Sequence, residues 1–374
     1  MTSAAHRRAR AVLCRHANPG DTTVLQIVDV AGPEEAARQV AAARAGVWEE
    51  ADADLARLEK LGGRLVCPGD AEWPARLDDL GGGRGRDDPG RPYALWLLGP
   101  VDLATVTARS IAIVGSRAAS EYGDHVARLM AGRLVDRGFA VISGGAYGID
   151  AAAHQAALTA GGVTVAVLAS GVDVPYPLKN SALLSRITAQ GLVISEAPPG
   201  SRPYRHRFLS RNRLIAALTS GTVIVEAGLR SGALNTARHA RRLGRPLMGV
   251  PGPVTNSQSA GVHAMLREHF EARLVTNAAE VIEEAGAIGE LADRPRAAEG
   301  VRDRLPRALK DLLEEMPSHE PITADQLANR VGRSPAAVAA QLVELHDWGL
   351  VERCTDGHRI TELARAPAAT VMGL

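Results

Sequence analysis

Residues 111–150 read IAIVGSRAASEYGDHVARLMAGRLVDRGFAVISGGAYGID, and the fold is decided there. Two short apolar runs, 111–114 and 139–142, end in glycine-rich turns, Gly115-Ser116-Arg117 and Ser143-Gly144-Gly145. Between them, 121–137 has helical spacing and opens near Ser120 or Glu121. Working outward, the alternation continues. Apolar runs at 163–168, 192–194, 222–225 and 246–250 are separated by helical segments at 149–160, 180–190, 211–219 and 233–243. Strands that are apolar throughout and alternate with helices imply a mainly parallel sheet covered on both faces. The expectation is an α/β, doubly wound fold over 105–285.

The flanks differ. Residues 1–80 read as helical, with Leu55, Leu58 and Leu61 at helix spacing. Segment 81–104 begins with a Gly- and Pro-rich run and reads as a loop. Segment 286–304 is polar, contains Pro295 and reads as a linker. Segment 305–362 has two short helices and a hairpin with Asp356-Gly357 at its tip, a winged-helix-like pattern, and 363–374 is a tail. The second helix of that pattern, 334–345, has Glu344 and no Lys or Arg, which favours a protein-contact role over base reading.

The 374 residues are 46% hydrophobic, which excludes a disordered or collagen-like chain. Cys14, Cys67 and Cys354 are far apart, which fits a reducing compartment and excludes a cysteine zinc site. No apolar run is long enough to span a bilayer. The first 15 residues hold four Arg and no acid but no hydrophobic segment, so no targeting is expected and the location expected is cytoplasmic. The net charge of +1 conceals an asymmetry: 201–245 has ten Arg and one acid, Glu226, the footprint of a polyanion site.

No GxxxxGK[ST], HExxH or GxSxG motif occurs, and no cofactor or metal is expected. The remaining chemistry lies at the carboxyl ends of the strands, where doubly wound sheets bind ligands. Gly115, Ser116 and Arg117 lead into a helix, whose amino end would offer N–H groups and positive potential to an anion. Ser143, Gly144 and Gly145, with Tyr147, form a second such turn. Tyr176 and Lys179 follow the third strand, and Arg205, Arg207, Phe208, Arg211, Asn212 and Arg213 follow the fourth. Core packing for Phe208 and a helix cap for Asn212 are the alternatives.

In this order the motifs resemble the DNA-processing protein A (DprA/Smf) family. The resemblance rests on Val114-Gly-Ser-Arg117, Ser143-Gly144 with Gly148-Ile149-Asp150, Tyr176-Pro177 with Asn180, Phe208 with Arg211-Asn212-Arg213, Glu226-Ala227 and Val250-Pro251-Gly252. It covers about 105–275 and implies an extended Rossmann domain flanked by an amino-terminal helical (SAM-like) domain and a carboxy-terminal winged helix. It also implies sequence-independent binding of single-stranded DNA, homodimerisation, and loading of the RecA recombinase in natural transformation or recombination, with no catalytic residue. The two glycine turns would hold phosphates and 207–213 would line the same groove. Tyr147 stands where many relatives have Arg or Lys and offers a stacking face instead.

Two other readings compete. A nucleotide phosphoribohydrolase similar to the lysine-decarboxylase-like family would need a Glu after its glycine turn, whereas Glu226 precedes 228–232 and reads as a brace. A winged-helix transcription regulator conflicts with the acidic balance of 301–362. Val262, Met265 and Leu266 read as core or as dimer interface.

Overall fold

The computed structural model describes residues 2–42, 44–85, 88–287 and 301–365. The chain divides into two compact units, 1–292 and 293–374. Of the expected linker 286–304 and tail 363–374, residues 288–300 and 366–374 lie outside the described residues; the described part of the linker includes a 3₁₀ turn at Val301–Arg304, and the start of the tail is helical through Arg365.

The first unit starts with three helices, α1 (Ala4–His16), α2 (Thr22–Ala41) and α3 (Val47–Lys60). Helix α2 is broken at Gly32-Pro33, where the ring of Pro33 removes a backbone donor. Next come β1 (Arg64–Val66), a small hairpin of β2 (Gly83–Gly85) and β3 (Asp88–Pro89), β4 (Leu95–Leu98) and α4 (Leu103–Ala108). The alternating part follows: β5 (Ser110–Val114), α5 (Glu121–Asp136), β6 (Ala140–Ser143), α6 (Ile149–Thr159), β7 (Thr164–Leu168), α7 (Ser181–Gln190) and β8 (Leu192–Ser195). It continues through α8 (Arg205–Leu218), β9 (Gly221–Ile224), α9 (Ala233–Arg242), β10 (Leu247–Gly249), α10 (Ala260–Glu268), β11 (Arg273–Leu274) and α11 (Ala278–Ala285).

Nine strands form one sheet in the order β1-β4-β8-β7-β6-β5-β9-β10-β11. From β8 to β11 all neighbours are parallel, and β4 is antiparallel to both β1 and β8. Strands β5, β6, β7 and β8 are buried along their whole length, as their unbroken apolar runs predict. After β8 the chain crosses through α8 to the other side of β5, so the order reverses between β5 and β9. That reversal opens a crevice at the carboxyl ends of those two strands.

Two readings are corrected. Residues 64–66 and 95–98, taken as part of a helical segment and of a connecting loop, are strands of the main sheet. Both are short and pair antiparallel, so they lack the long apolar runs that mark the parallel strands. Helices α1–α3 share one apolar cluster with the sheet, in which Leu13 and Leu25 join Trp96, Leu168 and Val193. Helix α8 also begins six residues before the expected start at 211, so Arg205, Arg207 and Phe208 are helical.

The second unit contains α12 (Arg307–Glu314), α13 (Ala324–Val331), α14 (Pro335–Asp347), β12 (Val351–Cys354), β13 (Gly357–Ile360) and α15 (Glu362–Arg365). A capping box of Thr323 and Gln326 starts α13. Leu309, Leu327, Leu342, Leu345 and Ile360 form its core. The hairpin tip is Thr355-Asp356 rather than Asp356-Gly357, because Gly357 itself pairs with Cys354.

Two histidines in the first unit are buried and neutral. Nδ1 of His154 lies 2.7 Å from Thr164 Oγ1, whose hydroxyl donates to Val141 O, so the proton sits on Nδ1. Burial pushes His154 down to about 3 and His239 down to about 4.

Two outcomes follow. A fragment 105–287 lacks β1 and β4, leaves the edge of β8 open and should aggregate on size exclusion, whereas 1–287 stays soluble. Equal solubility of the two would contradict the shared core. Below the ordinary histidine range of about 6.5 the unfolded chain takes up protons that His154 and His239 refuse. Stability should therefore fall as pH drops from about 6.5 towards 4, by about 2 kcal/mol per histidine at pH 5. Urea midpoints across that range check this, and His154→Gln should flatten the slope.

Candidate nucleic-acid interface

The crevice at the strand-order reversal is a cleft of about 830 Å³. Its floor is the turn after β5, one wall is the start of α8, and the other is the loop 228–232 leading into α9. Gly115, Ser116, Arg117, Arg205, Phe208, Arg211 and Asn212 all line it, so the fold brings seven of the expected residues together. Arg230, Asp150, Tyr176 and Gln258 line it as well. Tyr176 was read at the end of the third strand; Arg230 and Gln258 were not among the candidates, and Asp150 entered only through the resemblance. The signal for Arg230 was its place in a glycine-flanked turn at the end of β9, directly across the reversal from Arg117.

At the amino end of α5 part of the place expected for an external anion is taken by the protein's own carboxylate. Glu226 is 1% exposed, and its carboxylate accepts the Ser120 N–H at 2.9 Å and the Ser120 hydroxyl at 2.5 Å. A negative group there is stabilised by the helix dipole. The fit requires Gly123, where a Cβ would lie 2.2 Å from Glu226 Oε2. Ser116 is likewise engaged: its N–H donates to Glu226 O and its Oγ to Gln258 Oε1 at 2.6 Å.

The second glycine turn also has part of its donor set occupied from within. Asp150 Oδ2 accepts the N–H groups of Gly144 at 3.1 Å and Ala146 at 3.3 Å. Asn180 Nδ2 donates to the carbonyls of Gly145 and Ala146. The guanidinium of Arg211 donates to Gly144 O at 2.8 Å and to Val167 O. A Cβ on Gly144 would lie 2.3 Å from Arg211 Nη1, so only glycine admits this contact. Burial lowers Arg211 to about 10, with Asp150 opposing the shift, while burial raises Asp150 and Arg211 counters it. Burial outweighs their mutual attraction at both residues, which lie at the base of the cleft.

Ser143 is fully buried, its hydroxyl donating to Ile113 O. Tyr147 and Lys179 are exposed but lie outside the cleft lining. Arg207 is half-buried beside Cys14 and Glu196 on another side of α8. Arg213 is corrected as a ligand-contact residue. Its side chain is wholly buried and makes a two-pronged ion pair with Glu196 at 2.6 and 2.7 Å. Asn212 ties α8 to the start of α9 through Gly232 O at 3.2 Å.

What remains available to a ligand is a set of side chains. Arg117, Arg205 and Arg230 are exposed, and no carboxylate pairs with them among the described residues. The Arg117 guanidinium lies 5.1 Å from the Phe208 ring centroid, and Tyr176 packs on Phe208 at 5.4 Å. With Arg211 and Asp150 below, the lining holds four arginines and one acid. Such a cleft attracts phosphates by charge and offers π-faces to bases. Among the described residues no group of His, Cys, Asp and Glu is placed to hold a metal.

A family model described as DNA recombination-mediator protein A matches residues 64–286, and one described as HVO_A0114 matches 306–365. A Mycobacterium tuberculosis relative that carries the DNA processing protein DprA name is 47% identical over 97% of this chain and 96% of its own. Protein Smf of Escherichia coli is 36% identical over 71% of each chain. The X-ray structure of DNA processing protein A from Streptococcus pneumoniae aligns with a TM-score of 0.62 and 30% identity, covering 76% of this chain and 99% of that one. A Helicobacter pylori DNA processing protein A, whose structure describes a single-stranded DNA binding mode, aligns with a TM-score of 0.51 and 28% identity over 59% of this chain and 94% of its own.

The geometry separates bracing from available arginines. Arg213→Ala removes a fully buried guanidinium and leaves the largely covered Glu196 without its partner, which should cost about 3 kcal/mol. Arg117→Ala should change stability by less than about 0.5 kcal/mol. Urea denaturation of both variants checks the contrast, and equal losses would contradict it.

Proposed function

The chain belongs to the DNA recombination-mediator protein A family, and from that premise we propose that it binds single-stranded DNA without sequence preference along the arginine-lined cleft. The observation that carries the reading is the set Arg117, Arg205 and Arg230, exposed and unpaired by carboxylates around one cleft with Phe208 in its wall. The single-stranded DNA binding of the Helicobacter pylori relative supports it.

In this reading the bound strand is passed to RecA recombinase, as in natural transformation or recombination, and the chain acts without covalent chemistry. The phosphoribohydrolase alternative lacks support because Glu226 is buried and engaged with Ser120. The protein works as a homodimer in the cytoplasm; no described helix is long and apolar enough to cross a membrane. Val262 and Met265 are buried in the core, whereas Phe270, just before the end strand β11, is 93% exposed and Leu274 on it is 55% exposed, which supports a dimer surface at that edge. The carboxy-terminal unit, with no Lys or Arg on α14, serves protein contact.

Fluorescence anisotropy with labelled oligo-dT and a duplex of equal length, across a salt series, tests the reading. Three or four neutralised phosphates give a log–log slope of roughly −2 to −3 on the single strand. Arg117→Ala should weaken binding and flatten the slope by about 0.7. Duplex preference, or an unchanged slope in the variant, would sink the assignment.

A further inference from the structure

We propose that Tyr204 and His206 form a second base-stacking platform, outside the cleft, over which a single strand continues as it leaves Arg205. The inference rests on the single-strand reading above and extends its footprint. The two rings are parallel within 9°, with centroids 6.0 Å apart, a stacked pair at the surface. Both residues are exposed, Tyr204 at 54%. The guanidinium of Arg207 lies 5.4 Å from the Tyr204 ring centroid on the same short segment.

Local structure explains why these rings point away from the cleft. Tyr204 is extended, with φ −118° and ψ 147°, and α8 begins at Arg205. Arg205 and Phe208 therefore line the cleft, while Tyr204 and His206 do not. Along the chain the order is Arg202, Tyr204, Arg205, His206, Arg207, Phe208, so cations alternate with π-faces. No Asp or Glu occurs between Glu196 and Glu226, so nothing on this segment repels a phosphate. Exposed aromatic rings set among cations are the arrangement that holds single strands, since every base has a π-face. The platform gives the chain a second stacking point, separated from Phe208 by the charge of Arg205.

The test compares wild type, Tyr204→Ala, Tyr204→Trp and Arg117→Ala on an oligo-dT of about 20 nucleotides and on an abasic strand with the same phosphates. Tyr204→Ala should bind oligo-dT about tenfold more weakly, leave abasic-strand binding nearly unchanged and keep the salt slope, because stacking but no phosphate contact is lost. Tyr204→Trp should restore the affinity. If Tyr204→Ala binds oligo-dT like wild type while Arg117→Ala is weakened, the cleft holds the strand and the platform is refuted. Equal loss on both strands, or no rescue by tryptophan, marks a structural role and also refutes it. If the wild type does not bind oligo-dT at all, the single-strand reading itself fails and the platform with it.

Discussion

The carboxylate of Glu226, buried at the amino end of α5, governs what the cleft is able to hold. It takes both the N–H and the hydroxyl of Ser120 and lies against Gly123, so the helix dipole acts on an internal charge. Asp150 does the same for the turn before α6, accepting from Gly144 and Ala146. The glycine turns that look like phosphate cradles thus have part of their donor set occupied from within. Attraction for a polyanion passes to long, exposed side chains, Arg117, Arg205 and Arg230, mounted on a rigid floor. Flexible guanidiniums accommodate a phosphate chain of any sequence better than a tight amide nest, which suits a single small phosphate.

That floor is kept rigid by buried pairs that resemble binding residues until their partners are seen. Arg211 carries Gly144 O and Val167 O and faces Asp150. Arg213 grips Glu196 from a fully buried position and donates to Gly90 O. The amino-terminal helices add support from another direction: Arg57 on α3 pairs with Asp173, whose other oxygen accepts the Gly200 N–H. One aspartate thus joins α3, the loop after β7 and the loop after β8.

Much of this was legible beforehand, for physical reasons that differ by element. The parallel strands are apolar on both faces and each is followed by a helix, so their positions and the crevice at the chain reversal follow from pattern alone. Strands β1 and β4 carry no such signal: short antiparallel strands flanked by glycine and proline merge into their surroundings, β1 into the helical segment before it and β4 into a connecting loop. The arginine run shows where charge is concentrated but not which charge has a partner: Glu196 meets Arg213 only after α8 folds back on the end of β8. Helical periodicity likewise places Arg205 and Phe208 on the cleft side and Arg207 elsewhere, a distinction visible only once α8 is known to start at Arg205.

Hydrogen–deuterium exchange of the full chain with and without oligo-dT tests most directly whether the arginine-lined cleft is the nucleic-acid site. The account predicts protection at 115–119, 204–209 and 228–232, with little change in 301–365. Protection confined to 301–365, with the cleft segments exchanging as in the free protein, would contradict it.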